Sequence, residues 1–213
     1  MTEQCRKTMD NLRRNRMNVV YVPDKAGVPD AVRALLKSGD AVAVGGSVTL
    51  DETGVTALLR SGEYRFLDRY APGLTGEQVE DILRRSLAAD VFLCSSNAVT
   101  ENGELYNVDG RANRVAALAF GPRRVIVVVS TAKIVPDLAA AIRRVKTVAA
   151  PRNAQRLHCR TYCAQTGHCV QAEGGMTDGC QSPDRICCDA LVSGWQRDPE
   201  RMHVILVDEP CGY

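Results

Sequence analysis

Aromatic side chains are scarce in this sequence: ten of its 213 residues are Phe, Tyr or Trp. That is too few for the base-stacking platforms of single-strand nucleic-acid binders. An excess of one charge is missing as well. The 27 basic and 25 acidic residues leave a formal net charge of +2, which argues against the unpaired Lys/Arg face of a nucleic-acid-binding surface. Long apolar runs are absent; the longest clean one, Val125 to Val129, is far short of the roughly 18 residues of a membrane span. The opening MTEQCRK is polar and has no apolar signal-peptide region, so a cytoplasmic protein is expected. Neither GxGxxG nor GxxxxGK[ST] occurs, which disfavours classical dinucleotide and P-loop sites. All three histidines (His158, His168, His203) come late in the chain, and no Ser/His/Asp triad is proposed.

Cysteine, by contrast, is plentiful and unevenly placed. There are nine, and six of them (Cys159, Cys163, Cys169, Cys180, Cys187, Cys188) lie within 159–188. A secreted disulfide scaffold would spread its bridges through the domain, so these six read as a local device. Their spacing does not match the two short pairs of a zinc ribbon, yet four thiolates could converge on one metal. The best candidate set is Cys163, Cys169, Cys180 and Cys187, with His168 as a substitute ligand; disulfides and free thiols are the alternatives.

The remaining pattern is that of an α/β protein. VVYV (19–22), AVAV (41–44), VFLC (91–94), VIVVV (125–129) and HVILV (203–207) are short apolar strands, with YRFL (64–67) a weaker one. Between them lie helical patterns: an N-terminal amphipathic helix over 2–16, one after Pro29, a turn with Thr49 and Glu52 at capping-box spacing, a helix capped by Thr75 and Gln78, one over 112–120, and one from Pro136. Strands alternating with helices predict a mostly parallel sheet covered by helices on both faces. Asn102-Gly103 signals a hairpin and Asp109-Gly110 a second turn. We expect an α/β body over 1–150, followed by a Cys-rich segment and final strand (151–213) that pack on the same domain.

Two places suit chemistry. Gly45-Gly46-Ser47, with Thr49 beyond, follows a strand and precedes a helix, where backbone N–H groups can hold an anion; a plain connector has the same pattern. The segment 95–114 is dense in polar side chains directly after a buried strand, and Ser96, Asn97, Thr100, Glu104, Asp109, Asn113 and Arg114 are candidate ligand contacts. Glu101 is the candidate general base or nucleophile. A surface hairpin made polar for solubility is the bland reading.

GGSVTLDETG, SSNAVTENGELYNVDGRANRVAALAFGP, VIVVVSTAKIV and the tail TYCAQTGHCV with CQSPDRIC together resemble the LUD-domain family, the LutC/YkgG-like lactate-utilisation proteins, in its short stand-alone form. The resemblance covers nearly the whole chain. It implies a fold like that of ribose-5-phosphate isomerase, glucosamine-6-phosphate deaminase and the CoA transferases, with loops at strand ends forming a pocket for a carboxylate, phosphate or CoA-like ligand. It further implies a link to lactate or other organic-acid metabolism through iron–sulfur oxidoreductase partners, and it puts Lys133 at the pocket edge. Zinc or an iron–sulfur centre is the expected cofactor if the four cysteines bind metal, and a homo-oligomer is a candidate assembly. Two departures stand out: Ala112 replaces the glycine the family usually has before Asn-Arg, and Ala132 replaces the asparagine before Lys.

Overall fold

The computed structural model describes residues 1–213. Six parallel strands form the central sheet: β1 (Asn18–Val22), β2 (Ala41–Val44), β3 (Arg65–Leu67), β4 (Val91–Cys94), β7 (Arg124–Ser130) and β10 (Met202–Val207). Their order across the sheet is β1-β10-β7-β4-β2-β3. The final strand is therefore an inner one: β10 pairs β1 from Asn18↔His203 to Val22↔Val207, and β7 from Met202↔Val125 to Val207↔Ser130.

The unbroken apolar runs have the cause expected for strands covered on both faces. Along β7, Val125, Val127 and Val129 enter one core, with Cys5, Met9 and Leu12 of α1 (Glu3–Arg14) and Ala117 and Leu118 of α6 (Asn113–Ala119). Ile126 and Val128 enter the other, with Val28 and Val32 of α2 (Val28–Arg33), Leu50 of α3 (Val48–Glu52) and Leu58 and Leu59 of α4 (Val55–Leu59). Helix α5 (Gly76–Arg85) has the capping box its sequence announces, Thr75 and Gln78 each accepting the other's backbone N–H. At α3 the cap moves: Ser47, not Thr49, accepts from the Leu50 amide, because Ser47 is extended while Thr49 already lies inside the helix.

A second sheet is absent from the sequence reading. Strands β8 (Ile134–Val135), β5 (Ala98–Thr100), β6 (Leu105–Asp109) and β9 (Asp189–Ser193) run in the order β8-β5-β6-β9, with β5–β6 the Asn102-Gly103 hairpin. Its inner residues Val99 and Leu105 share the α1-side core. Its other side meets α7 (Leu138–Arg144), where Ala98 and Tyr106 pack on Ala141 and Val145. Helix α7 starts after Asp137, whose carboxylate caps the Ala140 amide, and continues through a π-turn over Val145–Ala149 into α8 (Ala150–Arg156). Pro151 explains the wider turn, since it has no N–H to give the carbonyl four residues earlier. Beyond α8, the Cys-rich stretch has one short helix, α9 (Tyr162–Thr166), and is otherwise turns.

Candidate functional site

The carboxyl ends of β2, β4, β7 and β10 open on one side of the sheet, and their following loops wall a cleft of about 300 Å3. Ligands of open parallel sheets bind at this position. Gly46 and Ser47 come from the β2 loop and Thr49 from the first turn of α3, Ser95, Ser96 and Asn97 from the β4 loop, Lys133 from the β7 loop, and Gly212 and Tyr213 from the stretch after β10. The far wall is Asp109, Asn113 and Arg114 together with Val145, Ala149, Asn153 and Arg156 of the π-turn and α8.

Arg114 organises this wall and has nothing left to give a ligand. Its Nε and Nη2 reach Asp109 Oδ1 at 2.9 and 2.8 Å, Nη1 donates to the Ser95 carbonyl and Asn107, and Nη2 to Asn97 and the Val108 carbonyl. Asp109 is occupied in turn, its other oxygen accepting from the Arg114 and Val115 amides. Gly45 allows this packing: a Cβ there would lie 3.0 Å from Arg114 Cδ and 3.3 Å from Cys94 Cβ. Gly45 thus supports the wall from behind the cleft lining.

Lys133 is the opposite case. It is 2% exposed, and its Nζ donates to two hydroxyls, Thr49 Oγ1 at 3.0 Å and Ser95 Oγ at 3.2 Å, with no carboxylate partner. Burial pushes its ammonium pKa down to about 8; the nearby Arg144 and Arg114 charges act in the same direction, and Cys211 and Glu52 oppose them. Gly212 lies across it, held by the Glu52 carboxylate through its N–H; a Cβ at Gly212 would come within 3.0 Å of Lys133 Nζ. Glu52, expected in a helix cap, holds this loop instead.

Three residues expected at the site are elsewhere. Thr100 and Glu104 bond each other across the β5–β6 turn at 2.7 Å. Glu101, the candidate catalytic carboxylate, accepts from Lys7 at 2.7 Å and Gln4 at 3.0 Å, and its carbonyl accepts from Asn11. Those bonds to α1, the Lys7 one foremost, hold its carboxyl below the usual carboxylate range, and none of the three residues lines the cleft. Ser96 does line it, while its hydroxyl is donated to the Ala98 and Tyr106 carbonyls. Conversely, Arg69, Tyr70, Asn153, Arg156, Gly212 and Tyr213 join the site without a sequence signal, since only the fold brings these distant segments to one place.

The four candidate metal cysteines, Cys163, Cys169, Cys180 and Cys187, line one small apolar cavity beside Tyr106, Ile142 and Met176. No group of three or more His, Cys, Asp or Glu side chains is arranged to hold a metal ion, and all nine cysteines are free thiols. Burial pushes the Cys187 thiol pKa up. The buried Lys146 anchors the surrounding loops, donating to the Gln171 carbonyl at 3.0 Å and the Asp178 carbonyl at 2.9 Å.

A model of the LUD domain matches residues 5–207. The chain belongs to the LUD-domain family. Membership associates it in general terms with lactate utilisation. Among solved structures, a DUF162 family protein from Deinococcus radiodurans shares the fold, with a TM-score of 0.54, 20% identity and 96% of each chain covered. Likeness is weaker to the eIF2B-beta2-delta2 complex of C. thermophilum (TM-score 0.42, 15% identity, 85% of this chain and 55% of that one). It is weaker again to ribose 5 phosphate isomerase A of Neisseria gonorrhoeae (TM-score 0.34, 12% identity, 54% of each chain). No curated protein matches the chain. No helix is long and apolar enough to cross a membrane.

Proposed function

We propose that this LUD-domain protein binds a small organic-acid anion in the cleft at the strand ends, in support of lactate or other organic-acid metabolism. The observation that carries this reading is a charge imbalance. Asp109 is consumed by Arg114, whereas Lys133, Arg69 and Arg156 line the cleft without a carboxylate partner. Arg156 donates only to Asn153 and Tyr213, and the buried Nε of Arg69 has no partner at all. Cations left unpaired in a concave, partly dry site favour an anionic ligand. The turn adds two donors, since the Gly46 and Ser47 amides give their hydrogens to no acceptor in the protein.

Thermal unfolding with saturating lactate, pyruvate, sugar phosphates or acyl-CoA tests the reading. A ligand at 100 times its Kd stabilises by about 2.7 kcal/mol, so a true ligand raises Tm by several degrees. The shift is lost in Arg69→Gln. An unaltered Tm across the panel would sink the proposal.

A second reading rests on the convergence of four thiols on one cavity. Thiolates suit zinc or iron–sulfur chemistry, so the segment is a candidate to hold such a centre or to dock an iron–sulfur oxidoreductase; the loops would have to tighten to close a ligand set. Stoichiometric metal in anaerobically purified protein, lost in Cys180→Ser, supports it. A metal-free preparation without a charge-transfer band excludes it.

A further inference from the structure

We infer that Lys133 is a Schiff-base lysine, its amine condensing with the carbonyl carbon of a short 2-oxo acid held in the cleft. The inference rests on the organic-acid reading above and names the substrate class and the reacting atom. Its ground is the setting of the amine. A buried lysine kept for stability has its hydrogens taken by carboxylates or backbone carbonyls, as Lys146 has by those of Gln171 and Asp178, because an uncompensated ammonium away from water is costly. Lys133 is 2% exposed and lines the cleft, and it is offered two neutral hydroxyls instead. Those two bonds use two of the three ammonium hydrogens and leave the third without a protein acceptor. A group maintained at such cost in a concave site points to chemistry.

The surroundings fit the reaction. Burial lowers the pKa to about 8, so roughly a tenth of the amine is neutral at pH 7, against less than a thousandth for an ordinary lysine. Desolvation is a known way of making a lysine nucleophilic. The amine lone pair forms a bond to the carbonyl carbon as the C–O π bond opens. The carbonyl oxygen then leaves as water with two hydrogens from the nitrogen, Thr49 and Ser95 being placed to relay them. The product is an imine, and no oxidant or reductant takes part. In its protonated form the imine withdraws electrons from the adjacent carbon, so a C–H bond there ionises and regains hydrogen from solvent.

The experiment is borohydride trapping of the intact protein with pyruvate at neutral pH, followed by peptide mapping, beside thermal unfolding with pyruvate. The expected result is a reduced adduct at Lys133 exceeding that at the surface residues Lys25 and Lys37 by about tenfold or more. In deuterated water the pyruvate methyl group gains deuterium, and Lys133→Met abolishes both signals. The mapping uses the wild-type chain and so does not depend on how that variant folds. A Tm shift with pyruvate but no preferential adduct at Lys133 overturns the inference and leaves the organic-acid reading standing. Neither shift nor adduct with pyruvate overturns the inference, and the organic-acid reading falls with it only if lactate, sugar phosphates and acyl-CoA also leave Tm unaltered.

Discussion

At the scale of single residues, the site is a contrast between two cations that sequence alone treats alike. Arg114 spends its whole guanidinium on Asp109, Asn107, Asn97 and two carbonyls, and so builds the wall. Lys133 is left with two hydroxyls, and so remains available to a ligand. Its place after a buried strand marked Arg114 as a pocket residue and the family resemblance marked Lys133, but only the partners separate their roles. Ala112 sits at φ 55°, the left-handed region that costs a non-glycine residue about 1 kcal/mol or more. Ala112→Gly is therefore expected to stabilise the protein by up to about 1 kcal/mol, the relief of strain being partly offset by glycine's greater freedom when unfolded. Urea unfolding measures it. An equal or lower stability would show that the strain is already compensated by α6, which begins at the next residue.

At the scale of elements, the hairpin β5–β6 is where sequence signal and function part company. Asn102-Gly103 was legible as a turn, and its cluster of polar side chains invited a catalytic reading of Glu101. The polarity has a nearer cause. Glu101 is gripped by Gln4, Lys7 and Asn11, and the Asn102 and Gly103 carbonyls accept from Asn15, so the turn is a clasp for α1. Gly103 permits the close approach: its φ is 80°, and a Cβ would lie 2.6 Å from the Asn11 oxygen and the Leu12 nitrogen. Gly103→Ala is expected to cost about 2–4 kcal/mol, from overpacking against backbone added to a left-handed conformation. Hydrogen exchange locates the damage, with protection falling first along Glu3–Arg14. Uniform loss across the central sheet would contradict the clasp.

At the scale of the whole molecule, the central sheet was legible because β2, β4, β7 and β10 are apolar runs buried on both sides, and their periodicity needs no knowledge of partners. The second sheet was not, since β8 has two residues and β9 (Asp189–Ser193) carries a polar residue at each end, and pairing across distant segments decides both. The same limit applies to the cleft: its strand-end loops could be marked in advance, but α8 and the stretch after β10 could not. The cost of assembling that cleft can be measured through Lys133. Its pKa is about 8 in the folded protein against an ordinary 10.5. Below pH 8 the folded and unfolded chains both hold the proton, and the full penalty of a buried ammonium is present. Between 8 and 10.5 the folded chain has released it while the unfolded chain retains it, so rising pH favours the folded state. At 1.36 kcal/mol per pH unit a depression from 10.5 to about 8 is a penalty of about 3 kcal/mol. Lys133→Met is accordingly expected to be more stable than the wild type by about 1–3 kcal/mol at pH 7, with an advantage that narrows toward pH 10. Urea unfolding of both proteins at the two pH values gives the difference and cancels the titration of other lysines, tyrosines and cysteines. A variant less stable by the same amount at both would mean that the amine stabilises the fold, and that its unpaired setting is not a cost borne for the cleft.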